Sequence, residues 1–345
     1  MSTLRLALPS ESSALFKGTM SFLEACGLKV SHDNPRRYTA TISSLPGVSV
    51  LFQRQSEITA RVDDGSADMG IAGLDSYMES RLESGDAALV DENIGFGGSS
   101  LVIAVPDSWR DITTVADLAE LALDYREKGR DLRVATKYPR LLKHFLDEHS
   151  VYYVSLVETS GAIEAAPIMG YADIIADVTA SGVTLRENHL RPLVDGTVIR
   201  SQATLIGNVR LLAEDPARLA VARELLERVE ATRSARKFQR ISVNLTAANM
   251  EEAAQRVIRH AEDLGQPELA GINGPTVSPM FSSRPGDWFN IQVVVPRDLL
   301  LKAVDNFRQL GGASITVTEA SYVFRRECAA YSNLLSAVER YRGGA

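Results

Sequence analysis

The chain has 345 residues, 45% of them hydrophobic and 23% charged, which is ordinary for a globular protein of two or three domains. Its net charge of −7 argues against broad nucleic-acid binding, and no uninterrupted run of about 18 apolar residues suggests a membrane helix. The amino-terminal segment does not follow the pattern of a signal peptide, so the sequence predicts a cytoplasmic protein. The two cysteines, Cys26 and Cys328, predict neither a disulfide framework nor a zinc site.

The first two thirds of the chain alternate short apolar runs with helical patterns. Strands are predicted for LRLALPS, VSVLFQR, DMGIAG, SSLVIAVP, LRVATKYP and YYVSLVE, with helices between them. A repeated strand–helix order favours parallel sheets that are covered by helices. Two such sheets, divided near residue 103, would form two lobes with a cleft between them.

The pattern changes after residue 215. The stretch DPARLAVARELLERVEATRSARKF predicts one long helix, which we interpret as a linker. Beyond it, a strand–helix–strand–strand–helix–strand order predicts a small ferredoxin-like βαββαβ sandwich. The predicted division is a first lobe over 1–103 and 187–215, a second lobe over 104–186, a linker helix over 216–239, a βαββαβ domain over 240–325 and a helical extension over 326–345.

The stretch ADIIADVTASGVTL places two carboxylates, Asp173 and Asp177, on an apolar run that breaks into small and hydroxylated residues. One interpretation is a strand followed by a helix whose cap is Thr179 or Ser181. The other is a phosphate site, in which the hydroxyls and amides of 179–184 hold the anion at the start of a helix. The carboxylates would then accept hydrogen bonds from a ribose 2′,3′-diol.

Two further strand ends are cleft candidates. Lys137 and Tyr138, in ATKYP, follow a predicted strand, where α/β sheets present their ligands. Lys137 could equally be a solvated lysine in a turn. In ADMGIAGLD, Gly73 and Asp75 end another predicted strand, although its glycines could serve only tight packing between helix and strand.

Several of these segments, in the same order, resemble one enzyme family. SGAIEAAPIMGYADIIADVTASGVTLRENHL is similar to the phosphoribosyl-diphosphate segment of the ATP phosphoribosyltransferases, the first enzymes of histidine biosynthesis. LRVATKYPRLLKHFL, SADMGIAGLDSYMES, GFGGSSLVIAVP and SQATLIGN are similar to further family motifs. GPTVSPMF and QLGGASITV resemble the regulatory domain of the family's long form. The resemblance covers most of residues 1–320.

The resemblance implies a fold and an activity. The fold is a two-lobed, periplasmic-binding-protein-like catalytic part followed by a ferredoxin-like, ACT-like βαββαβ regulatory domain. The activity is transfer of phosphoribosyl from phosphoribosyl diphosphate to N1 of ATP, which releases pyrophosphate, with Mg²⁺ bound mainly through the substrate rather than by protein ligands. Histidine would bind the regulatory domain as inhibitor. The resemblance further implies a homo-oligomer, from dimer to hexamer, with neither nucleic-acid nor membrane partners.

The resemblance also assigns roles to individual residues. Catalytic roles fall on Asp173, Asp177 and Lys137. Phosphoribosyl diphosphate would be bound by Glu164, Asp173, Asp177, Thr179, Ala180, Ser181, Gly182, Val183 and Thr184. ATP would be bound by Arg54, Gly73, Asp75 and Tyr138. Histidine would be bound by Asn244, Thr276, Val294 and Ser314.

The first loop departs from the family pattern. The family has PKGRL after its first strand, where the lysine and arginine help to hold phosphates, whereas this chain has PSESSAL with Glu11 near the expected cation. Either the loop serines and Lys17 replace those cations, or nucleotide binding is altered. The alternative functions are therefore a non-catalytic nucleotide- or amino-acid-binding regulatory relative and, from the two-lobed shape, a solute-binding protein.

Overall fold

The computed structural model describes residues 3–31, 38–159, 161–282 and 285–343. The chain folds into two compact units, one formed by Met1–Leu225 with Ala329–Ala345 and the other by Leu226–Cys328. Both cysteines are buried and neither forms a disulfide, as the sequence predicts. None of the described helices is both long enough and apolar enough to cross a membrane.

The first unit contains two sheets. Its strands are β1 (Leu4–Pro9), β2 (Val30–Ser31), β3 (Thr39–Ile42), β4 (Val48–Gln53), β5 (Met69–Gly73), β6 (Ala87–Asp91), β7 (Ser99–Pro106), β8 (Leu132–Thr136), β9 (Val154–Glu158), β10 (Ile174–Thr179), β11 (Leu190–Ser201) and β12 (Ala203–Asn208). Its helices before residue 215 are α1 (Phe16–Ala25), α2 (Gln55–Asp63), α3 (Leu74–Ser80), α4 (Val115–Glu127), α5 (Pro139–Glu148), α6 (Ala166–Met169), α7 (Val183–Glu187) and α8 (Val209–Glu214).

The first sheet has the strand order β2-β3-β4-β1-β5-β12-β6. Its central strand β1 runs parallel to β4 and β5, and its leucines are fully buried because both faces of the sheet are covered. Helix α2 packs closely on β5, since a Cβ added at Gly70 would lie 2.7 Å from the Ile58 side chain. Gly70 therefore serves packing, which is the simpler of the two sequence interpretations.

The second sheet has the order β11-β7-β10-β8-β9. Strands β8, β9 and β10 are parallel, while β7 runs antiparallel to β10 and β11. Helices α4 and α5 share one apolar core with the sheet, and the segment around α6 and α7 shares a second core on its other face. The carboxyl ends of β8 and β10 therefore meet at one edge of the sheet.

The predicted lobe boundaries at 103 and 187 are wrong, because they divide β7 and place the whole of β11 in the first lobe. All of β7 and β11 belongs to the second sheet, where Ser99 pairs with Ser201 and Ser100 pairs with Thr179. The chain changes sheets in the connection 92–98 and at Gln202. A strand–helix pattern does not reveal which sheet a strand joins, because its partners lie far away in the sequence.

The second unit confirms the predicted βαββαβ order. Its elements are β13 (Phe238–Thr246), α10 (Met250–Asp263), β14 (Thr276–Met280), β15 (Trp288–Pro296), α11 (Leu300–Gln309) and β16 (Ala313–Glu319). The antiparallel sheet has the order β14-β15-β13-β16. One face carries Ile241 and Val243, which pack with Phe307 of α11 in a common core. The βαββαβ order and the strand order of the sheet are those of the ferredoxin-like topology.

Two long helices connect or follow the units. Helix α9 (Pro216–Ala235) is the predicted linker helix, and it ends four residues before the predicted boundary. Helix α12 (Ala329–Gly343) is the predicted extension, and it contacts α8 and β6 of the first unit. Its Leu334 is fully buried, and Asn333 donates a hydrogen bond to the Val90 carbonyl at 3.3 Å. The chain therefore leaves the first unit and returns to it.

Candidate active site

A sharp turn follows β10. The Thr179 hydroxyl accepts a hydrogen bond from the Gly182 amide at 2.9 Å, and Gly182 has a φ of +69° at the residue that precedes α7. Glycine occupies this left-handed conformation without steric cost because it has no Cβ. The capping position is Gly182 itself, so the prediction of Thr179 or Ser181 as the cap residue is wrong, although Thr179 does bond to the loop backbone.

Three charged side chains lie together beside this turn. Burial raises the pKa of the half-buried Asp177 carboxyl, whereas a hydrogen bond from the Val178 amide and the nearby Lys137 charge oppose that rise, and Glu164 adds to it. Asp177 and Lys137 lie close together because β10 and β8 are parallel. Ala176 of β10 pairs with Thr136 of β8, and Asp177 follows Ala176 just as Lys137 follows Thr136. The structure thus brings together three of the residues proposed from the sequence.

Asp173 lies elsewhere. It precedes β10, whereas Asp177 is near the carboxyl end of that strand, so the two acids are about 13 Å apart along the chain. Asp173 accepts hydrogen bonds from Arg130 at 2.9 Å and from both the amide and the guanidinium of Arg133, at 2.9 to 3.2 Å. The prediction that both acids face one ribose is wrong for Asp173, which joins β10 to the amino end of β8.

We expect Asp173→Asn to lower the free energy of unfolding by about 1–3 kcal/mol at pH 7, because the amide cannot accept both arginine contacts. Burial alone would raise the pKa of Asp173, but the hydrogen bonds from Arg133 and Arg130 outweigh it, and the net shift is downward. A lowered pKa stabilises the fold above the unfolded value of about 3.9, and this contribution is lost as the pH falls through the folded value. Denaturant unfolding should therefore show that the difference in the free energy of unfolding between wild type and Asp173→Asn shrinks toward pH 3. An equal difference at pH 7 and pH 3 would contradict this account.

A second cluster joins the two lobes of the first unit. The Tyr138 hydroxyl donates to Asp75 at 2.7 Å, and the buried Ser201 hydroxyl both donates to the Asp75 carboxylate and accepts from the Asp75 amide. Burial, with the Asp75 charge, raises the pKa of the Tyr138 phenol, which keeps its proton. Tyr138 and Asp75 were proposed as neighbours in one site, whereas Ser201 was missed because it is 126 residues away from Asp75 in the chain.

The first loop approaches this cluster through Gln55. The Ser13 hydroxyl donates to the Gln55 side chain at 2.8 Å. A Cβ added at Gly73 would collide with the Asp75 carboxylate and lie 2.8 Å from the Gln55 amide group, so Gly73 leaves room for both side chains. Arg54 precedes α2 and is exposed, as is Glu11. Sequence reasoning missed Gln55, and its position next to Arg54 was the only local signal.

A cavity of about 460 Å³ opens at the same edge of the second sheet. Its lining residues come from β8, β9 and the ends of α3 and α5: Glu79, Thr136, Lys137, Pro139, Glu158 and Thr159. The carboxyl ends of parallel strands are where α/β sheets bind ligands, so the cavity and the charged cluster lie at the expected place.

Comparison with known proteins identifies the family. The family model for ATP phosphoribosyltransferase matches residues 54–231, and the model for the HisG C-terminal domain matches residues 235–322. ATP phosphoribosyltransferase 2, chloroplastic, of Arabidopsis thaliana is 35% identical over 339 residues, which are 96% of this chain and 80% of that protein. The chain belongs to the ATP phosphoribosyltransferase family. It has the two parts of the long form and works at the first step of histidine biosynthesis.

Two other comparisons agree with the family. The ATP phosphoribosyltransferase of Brucella melitensis is 41% identical over 207 residues, which are 59% of this chain and 89% of that protein. The solved ATP phosphoribosyl transferase (HisG:HisZ) complex from Thermotoga maritima superposes with a TM-score of 0.50 at 23% identity, over 66% of this chain and 98% of that chain. At this identity the solved structure supports the fold alone, and it agrees with the two-lobed, periplasmic-binding-protein-like architecture.

A magnesium ion that arrives with a diphosphate would fit the catalytic part of the chain. Within the described ranges, no group of three or more His, Cys, Asp or Glu side chains could hold a metal ion. The carboxylates of Asp177 and Glu164 are close enough for their repulsion to contribute to the raised pKa of Asp177. Carboxylate oxygens suit Mg²⁺, which usually keeps phosphate and water ligands as well.

The four residues proposed to bind histidine lie on the sheet of the second unit. Asn244 accepts a hydrogen bond from Asn290 at 2.8 Å, Thr276 pairs with Gln292, and Val294 belongs to the same outward-facing row of β15. These three share the face opposite α10 and α11. Ser314 is exposed, with a φ of +57°, close to a shift in register between β13 and β16. Whether these residues bind histidine stays a prediction.

Proposed function

We propose that the chain transfers the phosphoribosyl group of phosphoribosyl diphosphate to N1 of ATP and releases pyrophosphate, in the site at the carboxyl ends of β8 and β10. The observation that carries the proposal is the clustering of Lys137, Asp177 and Glu164 beside the turn at 179–182, in a chain of this family.

Each part of the donor has a matching group. The Asp177 carboxylate supplies two acceptors for the ribose 2′,3′-diol. The amides and hydroxyls of 179–184 hold the 5′-phosphate, since Gly182 lets the backbone approach closely. Lys137 and Mg²⁺ offset the charge that the departing pyrophosphate gains as C1′ becomes cationic. No protein nucleophile is needed, because N1 of ATP itself forms the bond to C1′ as pyrophosphate leaves, and the protein contributes mainly by positioning the two substrates.

ATP would lie against the first lobe. Arg54 follows β4 and Gly73 ends β5, while Asp75 and Tyr138 meet across the cleft. The Ser13–Gln55 contact brings the first loop to the same place, where the loop serines and Lys17 would replace the family's usual cations. The Mg²⁺ requirement, the hexameric state and the cytoplasmic location stay predictions.

Histidine inhibition is proposed for the second unit. Asn244, Thr276 and Val294 share one sheet face, where amide and hydroxyl groups could recognise the α-amino and carboxylate groups of an amino acid. This sheet face is also a surface on which a second copy of the chain could pack to complete the site.

The test is to mix purified protein with ATP, phosphoribosyl diphosphate and Mg²⁺ and to follow phosphoribosyl-ATP, with and without histidine, and with EDTA as the control. Product that falls when histidine is added would support both the transfer and its regulation. Product that histidine does not lower would contradict the regulatory part only. Donor binding without product would favour the non-catalytic regulatory relative.

A further inference from the structure

The carboxylate of Glu79 caps a helix that belongs to the other lobe. One oxygen accepts the Arg140 amide and the other accepts the Leu141 amide, each at 2.9 Å. Both amides are in the first turn of α5, where backbone N–H groups have no partner within the helix. Tyr138, at the cap position of α5, provides no side-chain cap, so the capping acceptor comes from α3, about 60 residues earlier.

Helix α3 contacts the segment that begins α5 at two points. Asp75 in its first turn accepts from the Tyr138 hydroxyl, and Glu79 one turn later accepts from Arg140 and Leu141. Residues four apart lie on the same face of a helix, so one face of α3 makes both contacts. Lys137 directly precedes this clamped segment, and its side chain lines the same cavity as Glu79.

We propose that Glu79 is a positioning residue for phosphoribosyl transfer, because its cap on α5 holds the Lys137 side chain at the cavity. The proposal rests on the proposed function. A cap supplied from within α5 would stabilise the helix in any arrangement of the lobes. A cap supplied by α3 forms only when the two lobes meet, so it couples closure of the cleft to the placement of Lys137.

The first test measures the contact itself by amide hydrogen exchange on the whole, ligand-free protein. In Glu79→Ala, exchange at Arg140 and Leu141 should rise by about tenfold, because these amides lose the Glu79 carboxylate as acceptor and the helix end opens more often. Glu83→Ala is the matched control, since Glu83 is exposed and four residues further on, and it should leave exchange unchanged. Equal exchange in Glu79→Ala and wild type would overturn the proposal.

The second test separates positioning from mere stabilisation. In Glu79→Ala, kcat should fall by about tenfold while KM for both substrates changes by less than about threefold, since Lys137 acts on the departing pyrophosphate. Glu79→Gln keeps one acceptor oxygen and should recover part of the loss. A lower melting temperature with a wild-type kcat would mean a structural cap only and would overturn the proposal.

The outcomes also separate this proposal from the one on which it rests. Wild-type protein that forms no phosphoribosyl-ATP would overturn the proposed function, and with it the role of Glu79 in transfer. Active wild-type protein together with a fully active Glu79→Ala variant would overturn the role of Glu79 alone.

Discussion

Asp177→Asn is expected to lower kcat/KM for phosphoribosyl diphosphate by about 10²- to 10³-fold. The substitution keeps the size of the side chain but replaces one of its two hydrogen-bond acceptors with an N–H group. That N–H group would face a hydroxyl of the ribose diol that also donates a hydrogen bond. It also removes the negative charge beside the carbon that becomes cationic. Steady-state kinetics with the donor varied at saturating ATP measures the effect.

The stability of Asp177→Asn provides the control. Burial raises the pKa of Asp177, so the folded state disfavours the ionised carboxylate relative to the unfolded chain. Removing that charge should leave the free energy of unfolding equal or higher, the opposite of the expectation for Asp173→Asn. Loss of activity together with lower stability would mean that Asp177 is structural. Full activity of Asp177→Asn would mean that Asp177 does not bind phosphoribosyl diphosphate.

The raised pKa of Asp177 also determines where kcat/KM declines on the acid side of its pH profile. If the ionised carboxylate binds the ribose, wild-type kcat/KM should fall with decreasing pH at a higher pH than the ordinary aspartate value of about 3.9. The small residual activity of Asp177→Asn should lack this decline. A decline of the same shape in both proteins would assign it to another group.

Lys137→Met is expected to lower kcat by about 100-fold. The methionine fills similar space without the charge that would stabilise the departing pyrophosphate, so the loss should appear mainly in the chemical step. Rapid mixing with a chemical quench measures that step directly. Lys128→Met, at the exposed end of α4, is the charge-matched control and should keep wild-type rates.

The result for Lys137→Met distinguishes two roles. A higher KM with an unchanged kcat would mean that Lys137 binds ground state and transition state equally. Wild-type kinetics would mean that Lys137 is a solvated lysine in a turn, which is the alternative interpretation of the sequence.

Local sequence patterns predicted the elements that position the site. The apolar run before Thr179 and the glycine at 182 predicted a strand, a turn and a helix, and all three are present. The strand-end rule placed Lys137 at the cleft because ATKYP ends a strand. The βαββαβ order of the second unit followed from the same kind of periodicity. Each of these strands, turns and helices is recognised from a short local stretch of the chain.

The contacts that the sequence did not reveal are long-range. Asp173 looked equivalent to Asp177, but its partners Arg130 and Arg133 are about 40 residues away and hold it at the opposite end of the strand. Ser201 reaches Asp75 across 126 residues. No spacing rule predicts such partners, because they depend on which strands become neighbours in the folded sheet.

A structure of the protein with phosphoribosyl diphosphate and Mg²⁺ tests the central claim most directly. We expect phosphoribosyl diphosphate at the carboxyl ends of β8 and β10, with its ribose hydroxyls on Asp177, its 5′-phosphate on the amides of 180–184 and its diphosphate toward Lys137. A donor bound elsewhere, or one whose ribose contacts Asp173 instead of Asp177, would contradict it.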